Sequence, residues 1–395
     1  AGDDVATRPP PTVPAADDPA YAIAIPSSWL LVGDGFTLED TTWLALVTAP
    51  AGVDRIEAWL DGAGPVSFDG VAGAFEVTID ATGLPVGDHQ VIMAAAGSDV
   101  AFAARTFHRS NALYVIMATD WDDADNAQSY LDNMDTLRAW HPGLRYSHYF
   151  GPYTLTDPAV SVARRAELVS WITTRRDTYG DEIGVHLHPY CTFVGTTAVP
   201  CRTEPSDVYD AGDPSGYTVI VASYTTEEMT TLLVAAADLF ESVGLGRPTA
   251  FRAGGWTADA GTLAAVEAAG YLVDVNAIVP DRIEEWEGSM NGVFYEWLME
   301  HWWAITPTSQ PYMPSVTDVS VPAASVDTGF AVLEIPANAV IADYVTAAEL
   351  IDIFAQNWPG LAPLAAPAIW HTGLHPPNFG IALLNKLDQG LDNAD

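Results

Sequence analysis

The chain has 395 residues, and its 15 lysines and arginines against 52 aspartates and glutamates give a formal net charge of −37 at pH 7. This balance excludes a nucleic-acid-binding protein, because phosphate binding needs basic clusters and the single lysine is Lys386. The length allows two domains, one of them a barrel of roughly 250 residues. No stretch approaches the roughly 20 apolar residues of a transmembrane helix, so no membrane span is predicted.

Residues 1–20 are predicted to be a disordered N-terminal spacer. The segment begins Ala1-Gly-Asp-Asp, continues with the proline-rich run Thr7–Pro14, and lacks a starting methionine. Such a composition is typical of a spacer left after processing. We therefore expect a protein that is secreted or tethered to the cell surface or periplasm.

Residues 21–109 carry short apolar or alternating runs between glycine, proline and aspartate turns, which predicts β-strands. The turns Asp61–Gly64 and Leu84–His89 are similar to those of immunoglobulin-like modules. Evenly spaced strands of this kind favour a small all-β sandwich of the immunoglobulin-like type. The predicted strands are Ala22–Ile25, Thr42–Val47, Asp54–Leu60, Ala74–Ile79, His89–Ala94 and Val100–Ala103.

Residues 110–395 alternate between predicted strands and helices, which implies a parallel sheet or barrel. In barrels the chemistry lies at the carboxyl ends of the strands, and the polar clusters of this chain fall there. The predicted strands are 112–118, the strand ending in His186 and His188, 248–252, 271–275, 332–335 and 368–371. The predicted helices are 161–178, 227–243, 258–269 and 347–357.

His186 and His188 are two positions apart on a predicted strand. Residues i and i+2 point to the same side, so both imidazoles can reach one metal ion, which then needs a third ligand such as a carboxylate. Candidate carboxylates occur in Asp120-Trp-Asp-Asp123, directly after strand 112–118. The alternatives are a hydrogen-bonded histidine pair lining a loop, and aspartates that form a turn or cap a helix.

Cys191 and Cys201 lie ten positions apart in a loop-like stretch directly after the histidines. A disulfide closing this loop would contribute about 3 kcal/mol to stability in the chain-entropy model. Two reduced thiols, or Cys191 as a metal ligand, are the alternatives. We predict the disulfide because the rest of the chain has an exported character.

Five motifs follow one another along the chain: Thr119–Asp123, Gly184–Pro189, Phe251–Trp256, Tyr271–Asp274 and Trp370–His375. They occur in the order found in polysaccharide deacetylases, and the C-terminal 285 or so residues resemble the NodB-homology family, within it the WalW-like branch. The resemblance implies a distorted (β/α) barrel that removes N- or O-acetyl groups with one divalent metal ion, commonly zinc.

The resemblance also assigns roles. It implies Asp120 as the general base, Asp122, His186 and His188 as the metal ligands, Arg252 as the residue orienting the base, and His371 as the general acid. Most members space the histidines as His-x-x-x-His and have adjacent aspartates. Here the spacings are His-x-His and Asp-x-Asp-Asp, so Asp123 remains a rival to Asp122 as the metal ligand. His375 remains a rival to His371 as the general acid, because both can face the site. A structural salt bridge is the alternative role of Arg252.

The chemistry of these residue types supports the same reading. A metal held by one carboxylate and two imidazoles lowers the pKa of its water to roughly 7. Asp120 can take a proton from that water, Arg252 can hold Asp120 ionised, and a histidine that titrates near neutrality can protonate the leaving group.

Three tryptophans, Trp256, Trp302 and Trp303, are candidates for a substrate groove, because aromatic faces stack on sugar rings; burial in the core is the alternative. The sequence thus predicts a metal-dependent hydrolase acting on acetyl groups of a polysaccharide or related glycan. A non-catalytic glycan-binding or adhesion protein on the same barrel is the first alternative. A glycosidase with paired carboxylates is the second.

Overall fold

The computed structural model describes residues 8–281 and 292–392. The chain divides into two compact units, the first formed by Ala1–Leu113 with Trp358–Ala368 and the second by Tyr114–Asn357 with Ile369–Asp395. The return of a late segment to the first unit was not predicted from the sequence. Among the described residues, no helix combines the length and apolar character needed to cross a membrane.

The first unit contains two β-sheets that share one hydrophobic core. The three-stranded sheet has the order β1-β3-β6 and the five-stranded sheet the order β2-β8-β7-β4-β5. In β6, Phe75, Val77 and Ile79 are buried while their neighbours face outward, because side chains alternate across a strand. The strands are β1 (Ala22–Ala24), β2 (Trp29–Leu31), β3 (Thr42–Thr48), β4 (Arg55–Leu60), β5 (Ala63–Asp69), β6 (Ala74–Asp80), β7 (Gly87–Ala95) and β8 (Ala103–Ser110).

Five of the six strands predicted here match β1, β3, β4, β6 and β7 within two residues. The strand expected at 100–103 was placed too early, since β8 begins at Ala103, and β2 and β5 were missed. Both missed strands lack a clear alternation of buried and exposed side chains. The immunoglobulin-like classification of this unit stays a prediction.

Residues 8–20, which were predicted to be part of a disordered spacer, make backbone and side-chain contacts, while residues 1–7 lie outside the described part. Thr12 forms a parallel bridge with Val100, and the Asp18 amide donates to the Phe102 carbonyl at 2.9 Å. The indole of buried Trp59 donates to the carbonyl of Arg8 at 3.0 Å. The segment is held because it satisfies backbone groups and a buried indole that would otherwise lack partners.

The second unit is a mixed α/β fold whose seven-stranded sheet fits a (β/α) barrel that is curled but open. The strand order is β14-β13-β12-β11-β10-β9-β15, and the pairs from β9 to β14 are parallel. The strands are β9 (Leu113–Asp120), β10 (Tyr146–Phe150), β11 (Glu182–Leu187), β12 (Ala250–Ala253), β13 (Val273–Asp274), β14 (Leu333–Glu334) and β15 (Ala368–Leu374).

Helices occupy most of the connections between these strands. They are α1 (Gln128–Trp140), α2 (Tyr153–Thr156), α3 (Val162–Tyr179), α4 (Cys191–Val194), α5 (Thr226–Ser242), α6 (Ala260–Ala268), α7 (Gly292–His301), α8 (Ala347–Asn357) and α9 (Ile381–Leu391). Local signals set several ends: the Ser161 side chain caps α3, and Thr225 with Glu228 forms a capping box on α5. Gly180 ends α3 in the left-handed conformation at φ 78°.

The parallel strands bring the polar motifs to one edge of the sheet. Asp120 is the last residue of β9, His186 lies near the end of β11 with His188 just beyond it, and Arg252 lies in β12. His375 directly follows β15, the neighbour of β9 on its other side. The carboxyl ends of parallel strands form the usual position of a ligand crevice.

Candidate metal centre and active site

Asp122, His186 and His188 form a group with the composition of a divalent metal site. The Asp122 Oδ1 atom lies 2.9 Å from His186 Nε2 and 3.5 Å from His188 Nε2. The three side chains each offer a ligand atom, all within 4.8 Å of one another. Two imidazole nitrogens and one carboxylate oxygen are a donor set that catalytic zinc accepts, with a fourth position left for water.

The second nitrogen of each histidine is engaged by a backbone carbonyl. His186 Nδ1 lies 3.2 Å from the Arg252 carbonyl oxygen, and His188 Nδ1 lies 2.6 Å from that of Tyr217. A carbonyl can only accept, so each Nδ1 carries a proton, and each Nε2 is the ring nitrogen that remains available as a metal ligand. The donor set therefore fits a metal ion.

Asp122, and not Asp123, belongs to this candidate ligand group. Asp123 is exposed and does not belong to the group. Burial raises the pKa of Asp122, but the neighbouring His375, His188 and His186 outweigh it and hold that pKa well below its usual range. The Asp122 carboxyl is therefore anionic, as a ligand must be.

Gly254 leaves space for the imidazole ring of His188. A Cβ built on Gly254 would lie 2.5 Å from His188 Nδ1, which is too close for any side chain. Gly254 thus lets the backbone directly after β12 approach the histidine ring.

Asp120 and Arg252 form a buried ion pair beside this group. Arg252 Nη1 donates to Asp120 Oδ1 at 2.6 Å, and its Nε donates to the Val275 carbonyl at 3.0 Å. The guanidinium also lies over the ring of Tyr149, 4.6 Å from its centroid. Asp120 also lines the cavity, so Arg252 holds its carboxylate in place where it can face a reactant.

His371 does not have the surroundings of a general acid. Its Nδ1 lies 3.0 Å from the Pro336 carbonyl, and its Nε2 accepts from Arg252 Nη2 at 3.3 Å. Burial and the charge of Arg252 lower the pKa of His371 to about 3. Both nitrogens are engaged, the ring is neutral, and it is absent from the cavity lining, so the role predicted for His371 is not supported.

His375, the rival left open by the sequence, lines the cavity. Its Nε2 lies 3.6 Å from Asp122 Oδ2, and its Nδ1 lies 3.3 Å from Asp343 Oδ1. Burial lowers the pKa of His375, but Asp122 and Asp343 outweigh it and raise that pKa to about 10. The His375 imidazole thus lies between two carboxylates and faces the cavity.

The site opens into a cavity of about 570 Å³. Its aromatic lining consists of Tyr209, Tyr217, Trp256, Phe294 and Tyr344. Trp256 was predicted from the sequence to contact substrate; the other four aromatic residues were missed.

The other two candidate tryptophans lie elsewhere. Trp302 is fully buried and donates its indole N–H to the Trp256 carbonyl at 2.9 Å, so it supports the wall from behind. Trp303 is 60% exposed, and its indole lies 3.2 Å from Asp318 Oδ2. Neither lines the cavity, and the predicted substrate contacts of Trp302 and Trp303 are not supported.

The loop 209–218 forms one wall of the cavity and was missed in the sequence. The predicted disulfide between Cys191 and Cys201 is present, with Cα atoms 5.3 Å apart. Cys191 also contacts the loop, because its amide donates to the Ser215 carbonyl at 2.8 Å. Gly216 has φ 87°, and a Cβ there would lie 2.4 Å from the Pro189 carbonyl oxygen. The turn-forming run Asp213-Pro-Ser-Gly216 directly before Tyr217 is the signal that could have revealed the loop.

Comparison with known proteins returns structural likeness only. No protein-family model matches the chain, and no curated protein does. A family 4 carbohydrate esterase from Streptomyces lividans, solved in complex with acetate, is 11% identical over 71% of this chain and 88% of its own, with a TM-score of 0.34. A polysaccharide deacetylase from Bacillus cereus is 10% identical over 65% and 87%, with a TM-score of 0.24.

A family 39 glycoside hydrolase from Bacteroides cellulosilyticus is 12% identical over 91% of this chain and 77% of its own, with a TM-score of 0.31. An esterase, a deacetylase and a glycoside hydrolase thus appear together at TM-scores below 0.5. The function has to be argued from the residues of the site.

Proposed function

We propose that this protein is a metal-dependent hydrolase that removes acetyl groups, as amides or esters, from a polysaccharide or related glycan. One observation carries the proposal. Asp122, His186 and His188 present three ligand atoms within 4.8 Å, at the wall of a cavity that also contains Asp120 and His375. With one carboxylate and two imidazoles as donors, zinc is the metal we expect.

Different residues around the metal position carry out the different proton transfers of hydrolysis. A bound divalent ion supplies a Lewis acid that polarises a carbonyl oxygen and acidifies water. Asp120, held in place by the hydrogen bond from Arg252 at 2.6 Å, accepts the proton from the attacking water. His375, protonated between Asp122 and Asp343, donates a proton to the departing amine or alkoxide.

The cavity wall supports a carbohydrate substrate. Tyr209, Trp256, Phe294 and Tyr344 offer aromatic faces, and such faces stack on the apolar sides of sugar rings. The disulfide between Cys191 and Cys201 supports an oxidising, extracellular location, where acetylated glycans are accessible.

The test combines metal analysis with acetate release from a panel of N- and O-acetylated glycans. We expect one zinc per chain and acetate release that stops on chelation and returns with zinc. Asp122→Asn should lose both metal and activity. Asp123→Asn is the matched control, because it removes the adjacent exposed carboxylate outside the ligand group, and it should keep both.

Other outcomes point to the alternative functions. Reducing ends that form in the presence of chelator would indicate a glycosidase. Glycan binding without acetate release from any panel member would indicate a non-catalytic glycan-binding protein. Full activity of Asp122→Asn without metal would contradict the proposed mechanism.

A further inference from the structure

Tyr217 makes three contacts with two of the three candidate metal ligands. Its hydroxyl donates to Asp122 Oδ2 at 2.8 Å. Its carbonyl accepts from His188 Nδ1 at 2.6 Å, and its ring stacks on the His188 ring with centroids 4.2 Å apart and an interplanar angle of 23°. No sequence motif of the second unit had marked this residue.

These contacts give the two oxygens of Asp122 different surroundings. Oδ1 faces the Nε2 atoms of His186 and His188 at 2.9 and 3.5 Å. Oδ2 faces away from them, towards the Tyr217 hydroxyl at 2.8 Å and His375 Nε2 at 3.6 Å. A carboxylate can bind a metal through one oxygen or through both, and a hydrogen bond to one oxygen favours binding through the other.

The backbone around Tyr217 is fixed by contacts that do not involve the ligands. The Tyr217 amide donates to Ser215 Oγ at 3.1 Å, and the Asp213 carboxylate accepts from the amides of Ser215 and Thr218 at 2.8 and 2.9 Å. The Cys191 amide anchors the same turn through the Ser215 carbonyl. The backbone that carries the Tyr217 side chain is therefore held in place independently of the candidate ligands.

We propose that Tyr217 is a positioning residue of the metal site, which holds Asp122 as a one-oxygen ligand and fixes the ring of His188. A one-oxygen carboxylate and two imidazoles fill three positions of a four-coordinate ion and leave the fourth for water or substrate. This inference rests on the proposed metal-dependent function and adds a residue from outside the recognised motifs to it.

The test is Tyr217→Phe, which removes only the hydroxyl and keeps the stacked ring and the backbone carbonyl. The dissociation constant for zinc, measured by competition with a chromophoric chelator and without substrate, should rise about 10- to 100-fold, as is typical when a partner of a metal ligand is lost. In the cobalt-loaded protein, the strong visible absorption of four-coordinate Co²⁺ should weaken, because Asp122 becomes free to bind through both oxygens.

Tyr190→Phe is the matched control. Tyr190 belongs to the same aromatic cluster, with its ring centroid 5.6 Å from that of Tyr217, but its hydroxyl donates to the backbone carbonyl of Asp122 at 3.2 Å and not to the carboxylate. Its zinc affinity and cobalt spectrum should match those of the wild type.

The outcomes separate this inference from the proposed function. If the wild type binds zinc and Tyr217→Phe binds it equally well with an unchanged cobalt spectrum, the role of Tyr217 is wrong and the proposed function stands. If the wild type binds no metal, both the role of Tyr217 and the proposed function are wrong. If the variant does not fold, the cobalt spectrum of the wild type still decides, since a weak spectrum of higher coordination number would overturn the inference.

Discussion

Arg252 Nη1 donates a hydrogen bond of 2.6 Å to Asp120 Oδ1, and both side chains are at most 1% exposed. The two residues lie 132 positions apart in the chain, on β12 and β9, with β10 and β11 between them in the sheet. The pair therefore connects strands that are not neighbours, and its loss should lower both the stability of the fold and the rate of catalysis.

Arg252→Met should destabilise the second unit by about 3–5 kcal/mol, because it leaves the Asp120 carboxylate buried without a partner. Denaturant unfolding followed by tryptophan fluorescence measures this loss. Arg247→Gln is the control: Arg247 pairs with Asp238 at 3.0 Å on the surface, and exposed pairs contribute only about 0–1 kcal/mol. Equal losses in the two variants would contradict a structural role for the buried pair.

His375→Gln should lower kcat on an acetylated glycan by about 10²- to 10⁴-fold, the usual contribution of a general acid or base. The defect should shrink on an aryl acetate, because a phenolate leaving group departs without a proton. Steady-state kinetics on the two substrates measure the difference.

His371→Gln is the comparison for that experiment. His371 lies against Arg252 and Pro336, away from the cavity lining, so any loss should be the same for both substrates. If instead the loss in His371→Gln depends on the leaving group and that in His375→Gln does not, the assignment of His375 is wrong.

Asp274 should make the protein less stable as the pH rises. Burial and the neighbouring Glu334 raise the pKa of Asp274 well above its usual range. Above the ordinary carboxyl pKa of about 4, the folded state therefore binds more protons than the unfolded chain. The free energy of unfolding then falls as the pH rises, by at most about 1.4 kcal/mol per pH unit for one proton. This loss runs from about pH 4 up to the raised pKa.

Asp274→Asn removes this titration and should flatten the decline in stability between pH 5 and pH 8. Urea unfolding at several pH values measures the slope. Asp238→Asn is the control, because this carboxylate is 64% exposed and should leave the slope as it is. An unchanged slope in Asp274→Asn would contradict the raised pKa.

Replacing Cys191 and Cys201 by serine should destabilise the second unit by about 3 kcal/mol, since the disulfide closes a loop of ten residues. The thermal midpoint of the oxidised wild type should fall to that of the double variant when a reductant is added. A reductant that lowers the midpoint of the double variant equally would show that the disulfide is not the cause.

Several regular elements of the second unit were predictable because their signals are local, whereas β10, α1, α7 and α9 were not predicted. Helix 347–357 was predicted with its observed bounds, and α3 and α5 within one residue, since apolar periodicity and capping residues mark their ends. The strand predicted to end in the histidine pair was also recognised, although β11 ends at Leu187 and His188 lies just beyond it. In contrast, the folding back of residues 8–20 and 358–368 onto the first unit depends on distant partners, which no local pattern reveals.

The site was predictable in its residue types and less so in its details. Spacing alone could not separate Asp122 from Asp123 or His371 from His375, because the choice depends on which way each side chain leaves its strand end. Tyr217 escaped notice because an irregular loop has no periodicity, and its position comes from contacts with the segment 189–191. Trp303 was chosen for its residue type, whereas its place on the surface is a matter of tertiary structure.

The positions of the candidate ligands also require the strands to assemble before a metal ion can bind. Asp122 follows β9, and His186 lies on β11, while β10 separates these two strands in the sheet. The donor atoms therefore meet only after three strands and their connecting helices have assembled. A chain still emerging from the ribosome, or passing unfolded through a translocation channel, has no such site, so we expect metal loading to follow folding and the ion to come from the compartment where folding is completed.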